Sequence, residues 1–216
     1  MHYTCAECRK KSCRDPQHKG MPSNCPMLCQ PEVLEEARAE YANPETARFF
    51  RESAYLEADA FGRFPRLKET IIFCQRMGYD HVGVAFCAAL EEEATIVCRL
   101  LREAGITVDS VRCKCGGINK TEFGIPKERF VHGGEFEPAC NPIGQAKLLE
   151  AQKTQFNIVL GLCVGHDSLF LKYSHTMSTV MVVKDRVCGH NPVAAVYLHQ
   201  HGYWGEMREV LPGEEQ

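Results

Sequence analysis

Several things are missing from these 216 residues. No apolar run approaches the roughly 20 residues that a membrane-spanning helix needs. Neither sign of charge dominates: 25 Lys and Arg stand against 28 Asp and Glu, for a net charge of −3. The two signs are interspersed, so there is no basic face of the kind nucleic acid selects. There is no GxGxxG or Walker pattern, which excludes the common dinucleotide and P-loop fingerprints. No internal repeat or low-complexity tract occurs. The opening Met1-His2-Tyr3-Thr4-Cys5 has no apolar signal region. A cytoplasmic protein is therefore expected.

What is present in excess is cysteine. There are 13, and the number is odd, so complete pairing within one chain is impossible. In a reducing compartment such density reads as metal binding or thiol chemistry. Apolar residues make up 44% of the chain and charged residues 25%, ordinary for a globular core.

Residues 1–30 differ from the rest. They hold Cys5, Cys8, Cys13, Cys25 and Cys29 among prolines and polar residues, without apolar periodicity. Such a segment cannot fold on its own burial. A bound metal supplies the missing free energy, on the order of 10 kcal/mol for structural zinc. The spacing Cys-x2-Cys-x4-Cys-x11-Cys predicts a module of Cys5, Cys8, Cys13 and Cys25 holding zinc or a four-iron cluster. The alternative is a flexible, unmetallated cysteine-rich tail. Whether Cys29 takes part stays open.

Residues 31–78 read as a helical segment. Pro31 and Asn43-Pro44 are helix starts. Ala47, Phe50, Ala54, Ala58 and Phe61 recur at helical spacing. A third helix is expected over Pro65 to Met77, with Leu67, Ile71 and Cys74 inward. Cys74, in mid-helix, reads as a core residue.

Residues 79–216 read as an α/β domain. His81 to Phe86 is a strand. Leu90, Ala94, Val97, Cys98 and Leu101 form a helical stripe, and Ile106 to Arg112 is a second strand. This βαβ unit predicts parallel strands. Lys114 to Ala139 reads as a loop over the carboxyl edge with a lid role. Asn141-Pro142 starts a helix, Ile158 to Leu160 begins a buried strand, and Thr179 to Val183 is the last strand. A final helix is expected over Val193 to Tyr203. The fold class is thus α/β: a mostly parallel sheet of about four strands flanked by helices, preceded by the cysteine module and the helical segment.

In such sheets ligands bind beyond the carboxyl ends of the strands. Cys87, Cys113 and Cys163 follow strand-like runs and Cys140 precedes a helix, so four thiols converge on one edge. They are expected to hold a second centre, an iron–sulfur cluster of the 4Fe-4S type, acting in redox or sulfur chemistry on a small molecule. Cys115 is a spare candidate. The bland reading is four separate buried cysteines. Cys163, His166 and Asp167 also invite a nucleophilic reading. His190 either faces the same crevice or hydrogen-bonds backbone. Two other classes remain open: a zinc-stabilised thiol enzyme using Cys163, and a non-enzymatic zinc-binding adaptor for a partner protein.

These stretches resemble the predicted metal-binding proteins that carry domain of unknown function 1847, found largely in anaerobic bacteria and archaea. The resemblance spans essentially the whole chain. It rests on Cys5-x2-Cys8-x4-Cys13-x11-Cys25-Pro26, Ala85-Phe86-Cys87, Cys113-Lys114 and Cys140-Asn141-Pro142-Ile143. Most specific are Gly161-Leu162-Cys163-Val164-Gly165-His166-Asp167-Ser168 and Val183-Lys184-Asp185-Arg186-Val187. The resemblance implies metal binding and supplies no substrate or reaction. Cys188 falls where an apolar residue is expected in relatives and is left out of the site.

Overall fold

The structure is a computed structural model in which residues 2–200 are described. The chain divides into two compact units, the first ending at Phe61 and the second beginning at Gly62.

In the first unit, short 3₁₀ turns at Cys5–Glu7 and Ser12–Arg14 precede three helices: α1 (Pro26–Cys29), α2 (Pro31–Glu40) and α3 (Pro44–Ala60). Each opens on a proline, whose missing N–H has no helical acceptor to lose. Asn43 caps α3, its side chain accepting from the amides of Glu45 at 2.9 Å and Thr46 at 3.3 Å. The apolar stripe expected on α3 forms at the right spacing but stays largely uncovered. Phe50 is 57% exposed and Phe61 80%. Phe50 meets Tyr41 edge-on, with ring centroids 4.9 Å apart.

The second unit is built on four parallel strands, β1 (His81–Phe86), β2 (Thr107–Arg112), β3 (Phe156–Leu160) and β4 (Ser178–Val182), in the order β2-β1-β3-β4. The helices of this unit are α4 (Arg66–Met77), α5 (Glu91–Glu103), α6 (Pro142–Ala151), α7 (His166–Tyr173) and α8 (Val193–Gln200). The expected continuation of α8 to Tyr203 lies outside the described residues. β1 and β3 are central and buried on both faces, which is why they read as continuous apolar runs. Ala85 and Val159 pack with Ala146 and Leu149 of α6 and Phe170 of α7. On the opposite side Phe156 packs against Phe73 of α4, centroids 5.7 Å apart. The buried face of α4 is Thr70, Phe73, Cys74 and Met77 rather than Leu67 and Ile71, because Phe73 is the residue that reaches Phe156 and Tyr79. Burial pushes the Cys74 thiol up to about 11, as befits a core cysteine.

Two features place the edge. Phe86 pairs with Arg112 on one side and Leu160 on the other, so the three strands end level. Between β3 and β4 the register slips: Val159 pairs with Val180 but Leu160 with Val182, leaving Met181 as the extra residue of a β-bulge.

The segment 114–139 is an ordered excursion. It carries 3₁₀ turns at Lys120–Phe123 and Lys127–Arg129 and a bridge between Asn119 and Pro138. Glu137 pins it, through an ion pair with Lys120 and by accepting from the His132 amide at 2.9 Å.

Candidate functional site

Cys87 and Cys113 are each the first residue beyond the paired row. The Cys113 amide donates to Phe86 O at 2.9 Å and the Cys87 amide to Leu160 O at 3.1 Å. Adjacent parallel strands ending level therefore set these two thiols side by side. Cys140 comes to the same place because the Asn141 amide donates to Cys113 O at 2.7 Å. Asn141 then caps α6, its side chain accepting from the Gly144 amide at 2.9 Å. Cys113 Sγ and Cys140 Sγ stand 4.0 Å apart, and the Ala88 amide donates to Cys113 Sγ at 3.3 Å.

Cys163 arrives by another route. Beyond β3 the Gly161 amide donates to Val182 O at 2.7 Å, and Gly161 turns the chain at φ +68°. A Cβ there would run into Leu90 Cδ1, so this turn needs glycine on both counts. The turn leads through Leu162 to Cys163, which is half-buried. Its partner is Arg186, with Nη2 3.3 Å from Sγ. Arg186 is carried by a loop closed on itself: Asp185 Oδ1 accepts from the amides of Val187 and Cys188 at 3.0 and 2.8 Å. The Asp185 amide donates to His190 Nδ1 at 3.1 Å. His190 thus organises this loop by bonding backbone.

The thiols share few protons. Three within reach of one another cannot all ionise, so the middle one keeps its proton. Hydrogen bonds to Cys140 and Cys87 push Cys113 far up. The hydrogen bond from Cys113, then Lys184, draws Cys87 down to about 5. Cys113, then His166 and Lys114, draw Cys140 down to about 3. Cys140 in turn raises His166. His166 is therefore drawn to Cys140 rather than Cys163. Asp167 bends back onto its own helix, Oδ1 accepting from the Ser168 amide at 2.7 Å. Cys115 is exposed and lies outside the cluster, beside a hollow along the edge strand β2.

Lys184 stands at the same edge without belonging to any of the cysteine motifs. It is 7% exposed, and among the described residues its Nζ has no hydrogen-bond partner at ordinary length, although its charge and a weak hydrogen bond stabilise the Cys87 thiolate. No sequence signal marks it, since a lysine just beyond a strand ordinarily reaches solvent.

In the first unit Cys5, Cys8 and Cys25 line one hollow of about 280 Å³. The turn that makes this possible has the Cys8 amide donating to Cys5 O at 3.2 Å. Asn24 Nδ2 ties the two chain segments together, donating to His2 O at 3.1 Å and Thr4 Oγ1 at 2.9 Å. Cys13 does not line this hollow, and Cys29 Sγ donates to Ser23 O at 3.2 Å. Among the described residues no three His, Cys, Asp or Glu side chains converge closely enough to hold an ion as they stand. At the edge the donors run as a chain of neighbours, Cys87 to Cys113 to Cys140 to His166. Their chemistry suits a thiophilic metal, because thiolates and an imidazole are its preferred ligands.

Residues 25–181 match the family model described as protein of unknown function DUF1847. An uncharacterised protein of Methanocaldococcus jannaschii, MJ0455, is 40% identical over 210 residues, covering 97% of this chain and 99% of its own. No solved structure matches.

Proposed function

The chain belongs to the DUF1847 family, and from that premise we propose that it is a metalloprotein with a thiolate-held centre at the carboxyl edge of its sheet. Cys87, Cys113, Cys140 and Cys163 are the ligands, with His166 beside them. The observation that carries the reading is the level ending of three parallel strands, which puts thiols at equivalent ends together with one from a helix start. The 4.0 Å between Cys113 and Cys140 suits two thiolates on one tetrahedral ion, about 3.8 Å for bonds of ~2.3 Å. A four-iron cluster seats its thiolates on different irons and needs the cysteines to draw apart. The geometry therefore favours a single ion, zinc foremost, over the iron–sulfur cluster expected from the cysteine count. Such a centre supplies Lewis acidity, or a redox couple if it is iron. The chain's own residues do the rest. Arg186 and Lys114 offset the thiolate charge, and the buried floor of Leu162 and Phe170 keeps water from beneath. A second, structural metal is proposed for the first unit, on Cys5, Cys8 and Cys25, with Cys13 or Cys29 as the fourth ligand.

Anaerobic purification followed by metal and acid-labile sulfide analysis tests this. Zinc without sulfide, reduced by one equivalent in Cys113→Ser, is the expected result. Iron and sulfide in equal amount replace zinc with the cluster. A protein with no metal, or full metal retention in Cys113→Ser, overturns the proposal for the edge.

A thiol enzyme is the second reading, favoured by one contact: a guanidinium 3.3 Å from Cys163 Sγ holds and orients that sulfur at the mouth of the edge. Its mark is a single fast-alkylating thiol at Cys163, slowed in Arg186→Gln, in protein whose edge holds no metal.

A further inference from the structure

We infer that the carboxyl edge receives a small oxyanion, seated on Lys184 with Arg186 at its mouth. The inference rests on this edge being the ligand site proposed above, and it names the class of molecule the site takes.

Lys184 carries the case. An ammonium has three N–H donors, and burying it without acceptors is expensive. Lys184 is 93% buried by its 7% exposure, and among the described residues its Nζ finds no oxygen or nitrogen acceptor, the Cys87 thiol being near enough only for a weak hydrogen bond. Core packing does not require this residue, since an apolar side chain of similar length fills the same volume without the desolvation cost. Its neighbours define where the ammonium sits: its Cε lies 3.7 Å from a Cβ built on Gly161, and Cys87 feels its charge.

Three cations, Lys114, Lys184 and Arg186, stand among the thiols at this edge, while the two carboxylates of the same loops, Asp167 and Asp185, are turned onto neighbouring backbone amides. Lys114 is already engaged, its Nζ donating to Pro138 O at 2.7 Å. Arg186 gives one nitrogen to Cys163 and is exposed. Its guanidinium has five donors in a planar fork that matches an oxyanion. Among the described residues the donors left over at this edge are those of an ammonium and a guanidinium, which oxygen atoms carrying negative charge satisfy. A carboxylate, a phosphate or a sulfur oxyanion presents them, and the ammonium and guanidinium recognise that shared feature.

The experiment is calorimetric titration of the anaerobically purified protein with acetate, phosphate and sulfite in separate runs. Metal content is measured on every sample. Saturable binding of at least one anion, one per chain, is expected. Lys184→Met is expected to weaken it about tenfold or more, the size of a lost charge-assisted hydrogen bond, while metal content stays at the wild-type level. Lys184→Arg restores part of the affinity, and Arg186→Gln weakens it in a background where Lys184 is intact. The thermal midpoint of Lys184→Met stays level or rises, since an orphaned ammonium is removed. A merely structural lysine would lower it. The inference is overturned if none of the three anions saturates, or if Lys184→Met and Arg186→Gln both bind as wild type. It is also overturned if Lys184→Met sheds metal and wild-type protein binds no anion, which makes Lys184 a partner of the metal alone. Metal-free wild-type protein that still binds an anion through Lys184 sinks the metal proposal and leaves this one standing.

Discussion

Gly161→Ala is expected to destabilise the second unit by about 2–5 kcal/mol, and the reason can be dissected. Gly161 has φ +68°, where an L-residue pays about 1–2 kcal/mol. The added Cβ also meets Leu90 Cδ1, and Leu90 is buried in the core. Overpacking at such a place costs about 1–3 kcal/mol. The two costs separate in a double-mutant cycle. Leu90→Ala alone costs about 2–5 kcal/mol as a cavity. It also removes the atom that the new methyl meets, so Gly161→Ala in that background costs only the backbone strain. The cycle is therefore sub-additive by about 1–3 kcal/mol. Urea unfolding of the four proteins, with unchanged slope and shifted midpoint, reads this out. Equal costs of Gly161→Ala in the two backgrounds would refute the collision. A total below about 1 kcal/mol would refute the strain as well.

Three further outcomes follow from the same structure. Gln145 Nε2 donates to Phe86 O at 3.2 Å and Val111 O at 2.7 Å, so Gln145→Leu removes two hydrogen bonds at the strand ends, Phe86 O keeping only the Cys113 amide, and should cost about 1–3 kcal/mol in urea unfolding. Glu137 has its carboxyl held down to about 2 by the His132 amide and then Lys120, against 4.5 when unperturbed. A depressed carboxyl stabilises fully above the unfolded value and loses its contribution as pH falls from about 4.5 to about 2. Proteolysis within 114–139 should therefore speed up across that window, and Glu137→Gln should be fast already at neutral pH. In the first unit, Cys5→Ala, Cys8→Ala and Cys25→Ala are each expected to release one metal equivalent. Only one of Cys13→Ala and Cys29→Ala should do the same, and elemental analysis of the five variants identifies the fourth ligand.

The sheet was legible because β1 and β3 are buried on both faces, and burial on both faces writes an unbroken apolar run. The face of α5 was legible in full: Ala94, Val97, Cys98 and Leu101 are all buried, as is Leu90 just before the helix. On α4 the same reasoning chose Leu67 and Ile71, since periodicity alone does not say which aromatic ring waits across the gap. α7 was not foreseen as a helix, because it runs for only eight residues, His166–Tyr173, follows glycines at 161 and 165, and ends within the polar Lys172–His175 stretch. Among the edge residues, strand endings made Cys87 and Cys113 neighbours in the sequence reading. The pairing of His166 with Cys140 was invisible there, because it depends on the starts of α6 and α7 meeting on one face of the sheet. Lys184 was hidden for a different reason: a lysine after a strand ordinarily belongs to the solvent.

That hidden lysine traces back to Met181. A strand alternates its side chains with period two, and one surplus residue reverses the alternation from that point on. Val180 packs on the side of α6 and α7, and an unbroken strand would bring Lys184 to that side as well. The bulge inverts the parity, so Lys184 lies against Gly161 while Val183 is left 43% exposed. The surplus residue thus decides which side of the sheet receives the lysine: paired without a bulge, the same sequence would set Val183 beside Gly161 and turn Lys184 to the side of α6 and α7.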